Sequence, residues 1–141
     1  MKNAGAWFAV AVGAMLAVLL TVSAPSAQAA KTQADFTAME TEIDSAIATF
    51  TAANIGSKNV KYFTDHLSQA RKFVGMAASH LGGKKQRYSA DFKHALAQLK
   101  IVAHNLRTNR GRKISDQTVV QQLKDVADKL VSDWTPFKNP S

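Results

Sequence analysis

Four histidines are the residues of this sequence best suited to binding a metal ion, and they all fall between residues 58 and 113. They are His66, His80, His94 and His104. Imidazole nitrogen is a good ligand for zinc, copper and nickel. A helical hairpin folded about residues 84–85 would bring the first histidine level with the last, and the second close to the third. A transition-metal site is therefore one interpretation of this segment.

The helical faces favour a second interpretation, in which the histidines are solvated. At 100° per residue, His94 and His104 lie on the outer side of their predicted helix, away from its apolar stripe. The chain has no His pair at positions i and i+4, no H-E-x-x-H motif and no Cys. Metal ligands must converge on one point, and this pattern does not make them converge.

Lysine and arginine are concentrated in the same segment as the histidines. The chain has 18 Lys and Arg against 10 Asp and Glu. Residues 58–113 hold thirteen of these cations and two Asp, a net charge of +11, whereas residues 31–57 and 114–141 are mildly acidic. Such a concentration focuses a positive potential that attracts anions. It predicts an anionic partner: a membrane surface, an acidic glycan or an acidic protein. The alternative is that the charge only keeps the protein soluble.

Apolar residues repeat every three or four positions through the chain after residue 30, which is typical of amphipathic helices. The stripes predict four helices, at about residues 32–54, 58–81, 87–108 and 115–134. We expect an all-α protein, an antiparallel up-down four-helix bundle formed by residues 30–141.

Cap and stripe residues define the ends of the first and last predicted helices. Thr32 and Asp35 resemble a capping box at the start of the first helix, and Gly56 is a stop, after which Ser57 caps the second. Ser115 is the expected cap of the last helix. The stripe expected there is Val119, Leu123, Val126, Leu130 and Trp134.

The up-down arrangement would place the first and third links at the same end of the bundle. Two lysines at the start of the second helix would then lie close to four cations around the end of the third. We name these six cations the basic tip and expect them to bind anions: Lys58, Lys61, Arg107, Arg110, Arg112 and Lys113.

Met39, in the run Ala38-Met39-Glu40-Thr41 of the first helix, carries a resemblance to a known family. A Cys-free bundle of this length with a Met at this place is similar to the soluble periplasmic b-type four-helix cytochromes. The resemblance implies non-covalent haem held between Met39 and a His on the last helix, but residues 114–141 contain no His. The chain also resembles small periplasmic metal-binding bundles, which are richer in His.

The first 29 residues have the pattern of a signal peptide. Lys2 is followed by an almost wholly apolar stretch over residues 6–22, and Ala27-Gln28-Ala29 fits an A-x-A cleavage site. We expect cleavage after Ala29, a periplasmic or secreted protein, and no transmembrane helix in the mature chain. An uncleaved membrane anchor is the alternative.

No catalytic motif emerges from the sequence. There is no nucleophile elbow, and Gly82-Gly83 before two lysines follows a helix and lacks the spacing of a phosphate-binding loop. The sequence also has no specific signature of nucleic-acid binding. Few aromatic residues are available to stack on bases, and Tyr62 and Tyr88 are among them. We therefore expect a non-enzymatic binding or interaction module without a cofactor. The alternative is a carrier of a transition metal or non-covalent haem.

Overall fold

The computed structural model describes residues 31–139, and all the regular secondary structure in this range is helical. There are four long helices: α1 (Gln33–Ala52), α2 (Ser57–Ser79), α3 (Lys85–Arg107) and α5 (Gln117–Trp134). A single turn, α4 (Asn109–Arg112), lies between α3 and α5, and a 3-10 turn (Thr135–Phe137) follows α5. The predicted all-α class with four helices is confirmed. The expected signal segment, residues 1–29, lies outside the described residues.

Each long helix packs mainly against two others, and α1 and α3 also touch across the core. α1 contacts α2 and α5, while α3 contacts α2 and α5, and the α2–α3 contact is the most extensive. At the start of α1, Gln33 Nε2 donates a hydrogen bond to the Ala78 carbonyl near the end of α2, at 3.1 Å. Phe36 of α1 meets Tyr88 of α3 edge-on, with the ring centroids 5.9 Å apart. The four helices therefore share one apolar core.

The core is formed by one apolar stripe on each of the four long helices, as the three- and four-residue spacing predicts. Its buried residues include Phe36, Ile43 and Phe50 of α1, Phe63 of α2 and Leu99 of α3. No polar or charged residue between residues 31 and 139 is fully buried. Hydrophobic burial is therefore the main source of stability, at roughly 25 cal/mol per Å² of apolar surface removed from water.

The stripe of α5 differs from the prediction. Its buried residues are Val120, Leu123, Ala127, Leu130 and Trp134, whereas Val119 and Val126 are only partly buried. The observed set keeps a regular 3-4-3-4 repeat up to Trp134. The helix is capped by Asp116, whose carboxylate accepts a hydrogen bond from the Val119 amide at 3.1 Å, and the predicted cap Ser115 lies one residue before it.

The caps of the first two helices differ in outcome. The capping box between Thr32 and Asp35 is confirmed. Gly56 is itself the N-cap of α2, with φ of 85°, and Ser57 is the first helical residue rather than the cap. Glycine adopts this positive φ without strain, so Gly56 makes the turn into α2. Between residues 31 and 139 no helix is both long and apolar enough to cross a membrane.

Candidate anion-binding site

Arg110 of the basic tip reaches from α4 to the first turns of α2. Its guanidinium carbon lies 3.9 Å from the centroid of the Tyr62 ring. Its Nη1 donates a hydrogen bond to Asn59 Oδ1 at 3.0 Å. A guanidinium over an aromatic face is held by cation–π attraction. The structure thus brings the segment after α3 against the start of α2.

Gly111 explains why α4 can lie so close to the end of α3. It is buried, and a Cβ atom at this position would lie 1.8 Å from the Leu106 carbonyl oxygen. Gln117 Nε2 donates hydrogen bonds to the carbonyls of Ile114, at 2.6 Å, and Gly111, at 3.1 Å. The buried side chain of Ile114 adds an apolar anchor. The backbone that carries Arg110 is therefore fixed by its close contact with α3, by the hydrogen bonds of Gln117 and by the burial of Ile114.

The other five residues of the basic tip divide into paired and unpaired cations. Lys61 forms an ion pair with Asp65 at 2.6 Å, and Arg107 pairs with Asp128 of α5. Lys58, Arg112 and Lys113 are exposed, and no carboxylate between residues 31 and 139 lies within 4.0 Å of their charged groups. These last three are therefore available to an anion in solution.

Most cations of residues 58–113, which we name the basic hairpin, also lack a carboxylate partner among the described residues. Within the described range, three of its thirteen cations form ion pairs with carboxylates: Lys61, Arg71 and Arg107. The other ten are Lys58, Lys72, Lys84, Lys85, Arg87, Lys93, Lys100, Arg110, Arg112 and Lys113. Their charge is not neutralised by neighbouring carboxylates within ion-pair distance in that range. Such a surface concentrates anions near it.

Comparison of the chain with protein-family models, curated proteins and solved structures finds no match. The chemistry of the site must therefore be inferred from its own geometry.

Three of the four histidines lie beside partners from the facing helix of the α2–α3 pair. His66 Nδ1 is 2.6 Å from Gln98 Oε1, the His94 ring stacks on Phe73 with the centroids 5.1 Å apart, and His80 Nε2 is 3.5 Å from Asp91 Oδ2. His104 is exposed on α3. Between residues 31 and 139, no three His, Cys, Asp or Glu side chains come together as possible metal ligands. The structure thus places His66, His80 and His94 beside three different partners.

Met39 and Tyr88 both lie in the core. On the sequence alone, Met39 is a candidate haem ligand and Tyr88 a candidate residue for base stacking. Met39 is buried in the stripe of α1. Tyr88 is buried, and its hydroxyl donates a hydrogen bond to the Phe137 carbonyl at 2.6 Å. The prediction of Tyr88 as an exposed stacking residue is wrong, because it continues the apolar stripe of α3 one turn before Phe92. Tyr62 is half-buried, and one face of its ring is covered by Arg110.

A second polar cluster lies between α1 and α5, around Glu42. Trp134 Nε1 donates a hydrogen bond to Glu42 Oε2 at 3.3 Å. Glu42 Oε1 is shielded from solvent and accepts no hydrogen bond from a residue between 31 and 139, and Lys129 Nζ lies 3.7 Å from it. Burial, followed by the hydrogen bond and negative charge of Asp133, raises the pKa of Glu42 to about 7. Sequence patterning gave no sign of this cluster, because it depends on the pairing of α1 with α5.

Proposed function

We propose that this protein is an exported, non-enzymatic binding module whose basic hairpin contacts an anionic partner. The observation that supports this most directly is the set of ten hairpin cations without a carboxylate within 4.0 Å in the described range. Concentrating so many like charges in one segment costs free energy through mutual repulsion, and an anionic partner would offset that cost. The signal-like pattern of residues 1–29 supports a periplasmic or secreted location.

We further propose an antiparallel up-down order for the four long helices. Contacts between helix starts and helix ends support it: Gln33 meets Ala78, and His80 at the end of α2 meets Asp91 near the start of α3. Arg110, after α3, reaches Asn59 at the start of α2. In this order the basic tip forms one end of the bundle.

The test is binding of immobilised heparin and of vesicles containing an anionic phospholipid, with protein produced from the full-length sequence. The triple variant Lys58→Gln/Arg112→Gln/Lys113→Gln removes the three exposed cations of the basic tip that have no carboxylate within 4.0 Å among residues 31–139. We expect it to elute from heparin at a clearly lower salt concentration than the wild type. Loss of charge–charge attraction at the contact surface is the reason.

A matched control removes three positive charges outside the basic hairpin, in the variant Lys31→Gln/Lys124→Gln/Lys138→Gln. It has the same net charge as the test variant, so a response to net charge alone would shift both equally. Near-wild-type elution of the control supports a contact at the basic tip. Equal shifts of the two variants, or no binding by the wild type at low salt, would contradict the proposal.

The alternative function, a periplasmic carrier of a transition metal or haem, is favoured by one contact. His80 lies beside Asp91, and imidazole and carboxylate are both ligands of zinc. An absorption spectrum and a metal analysis of the purified protein distinguish the two functions. A Soret band, or zinc, copper or nickel bound in stoichiometric amount, would support the carrier.

A further inference from the structure

We propose that Arg110 is the anchor of the basic tip and that it binds a sulfate or phosphate group of an anionic polysaccharide. The inference rests on the proposed function and adds to it a residue with a defined role and a class of ligand. In this view the remaining cations attract the polysaccharide, and Arg110 binds individual sulfate or phosphate groups on it.

Arg110 is held in place while most of its donors remain free. The Tyr62 ring lies under its guanidinium, and Asn59 accepts one hydrogen bond from Nη1. Arginine has five N–H donors, and the others make no hydrogen bond to a residue between 31 and 139. Its carrier turn is fixed by Gly111 and by the hydrogen bonds of Gln117. Little side-chain entropy is therefore left to lose when an anion binds.

The chemistry of the guanidinium also suits an oxyanion. Its planar fork matches two oxygens of a sulfate, phosphate or carboxylate at once, which a lysine ammonium cannot do. Lys58, one residue before Asn59 on α2, and Arg112, two residues after Arg110 on α4, are both exposed and without an ion pair in the described range. An oxyanion at Arg110 would thus be bound in a field of further positive charge.

The surroundings of the basic tip favour a polysaccharide over a membrane. Among the described residues, Met76 is the one large apolar residue that is exposed, with 39% of its surface accessible to solvent. It lies 18 residues after Lys58 on α2, which is about 27 Å along a helix that rises 1.5 Å per residue. The basic tip therefore offers charge and hydrogen bonds but no exposed large apolar residue to insert among lipids. A flexible sulfated or phosphorylated chain fits these properties.

The experiment is calorimetric titration of a heparin dodecasaccharide into the wild type, the triple variant of the basic tip and three further variants. Arg110→Lys keeps the charge but loses the fork, and we expect about tenfold weaker binding, as for loss of one charge-assisted hydrogen bond. Arg110→Gln should bind at least as weakly. Tyr62→Leu keeps the arginine but removes the ring beneath it, and its affinity should lie between those of wild type and Arg110→Lys. Circular dichroism of each variant is the control for folding.

The outcomes separate this inference from the proposed function. Arg110→Lys binding as tightly as the wild type, while the triple variant of the basic tip binds weakly, would overturn the anchor and leave the proposed function intact. If neither variant changed affinity, both would fail. Vesicles containing phosphatidylglycerol are the comparison probe. Binding to them that is tighter than to heparin and equally sensitive to Arg110→Lys would transfer the anchor to lipid phosphate and overturn the polysaccharide.

Discussion

At the scale of single residues, Glu42 has a direct consequence for stability. Its carboxyl group lies between α1 and α5, where burial and the nearby Asp133 raise its pKa from 4.5 to about 7. In the unfolded chain it would lose its proton near the ordinary value. The folded state therefore binds this proton more tightly, and the stability it contributes is complete below pH 4.5 and is lost as the pH rises through 7.

We predict that Glu42→Gln removes this dependence. The amide keeps an oxygen that can accept the hydrogen bond from Trp134 but carries no charge. Relative to the wild type, the variant should gain roughly 1–3 kcal/mol in free energy of unfolding at pH 8. A pKa raised from 4.5 to about 7 corresponds to at most about 3.4 kcal/mol, and solvent screening of this partly exposed group lowers that value. At pH 4 the two proteins should differ much less.

Thermal melts from pH 4 to pH 8 measure the effect of Glu42→Gln. Glu40→Gln is the control, because it removes the same charge from α1 at a residue that does not belong to the cluster of Glu42, Lys129 and Asp133. A wild-type protein that grows more stable between pH 5 and 8 relative to Glu42→Gln would show that the charged carboxylate is favoured in the folded state.

At the scale of helices and turns, α4 depends on the missing side chain of Gly111. A Cβ atom 1.8 Å from the Leu106 carbonyl cannot be accommodated, so Gly111→Ala must move the turn away from α3. We predict a loss of about 1–3 kcal/mol in free energy of unfolding, the usual cost of overpacking. Binding to heparin should weaken as well, because the displaced turn would carry Arg110 away from Tyr62.

Gly75→Ala is the matched control for Gly111→Ala, since Gly75 lies within α2 and has room for a methyl group. A Cβ atom there would be 3.6 Å from a Glu40 side-chain oxygen, an ordinary contact. Alanine in a helix interior is favoured over glycine by roughly 0.5–1 kcal/mol, so this variant should be more stable than the wild type. Urea unfolding of both variants measures the contrast, and equal destabilisation would contradict the role given to Gly111.

The elements also show which parts of the fold the sequence could predict. The stripes of α1, α2 and α3 follow from spacing alone, because each offers a single apolar face. In α5 both Val119 and Val120 are apolar, as are Val126 and Ala127, so the pattern allowed two stripes and packing selected the second. Spacing did contain a signal for Tyr88, which lies four residues before Phe92 and so on the same face.

The candidate site was predictable in composition but not in detail. The six cations of the basic tip could be grouped from topology, and the pairing of Lys61 with Asp65 four residues later is readable on a helix. The pairing of Arg107 with Asp128 joins two helices and depends on their packing. The support of Arg110 by Tyr62 was equally hidden, because it depends on how closely Gly111 lets α4 approach α3.

At the scale of the whole molecule, the uneven charge distribution determines how salt acts on stability. Exposed ion pairs such as Lys61–Asp65 and Arg71–Asp44 contribute about 0–1 kcal/mol each, so screening them costs little. Ten cations of the basic hairpin have no carboxylate within 4.0 Å in the described range. Their mutual repulsion opposes folding, and the same salt screens it. The second effect should exceed the first.

We therefore predict that the melting temperature at pH 7 rises as sodium chloride increases from about 10 mM to about 300 mM, over which the Debye length falls from about 30 Å to below 10 Å. Lys58→Gln/Arg112→Gln/Lys113→Gln should melt higher than the wild type at low salt and respond less to added salt, because part of the repulsion is already gone. Lys31→Gln/Lys124→Gln/Lys138→Gln should change less. A wild-type melting temperature that falls with salt would mean that ion pairs outweigh repulsion. In that case repulsion among the excess cations would not destabilise the folded protein, and an anionic partner would have no such repulsion to offset.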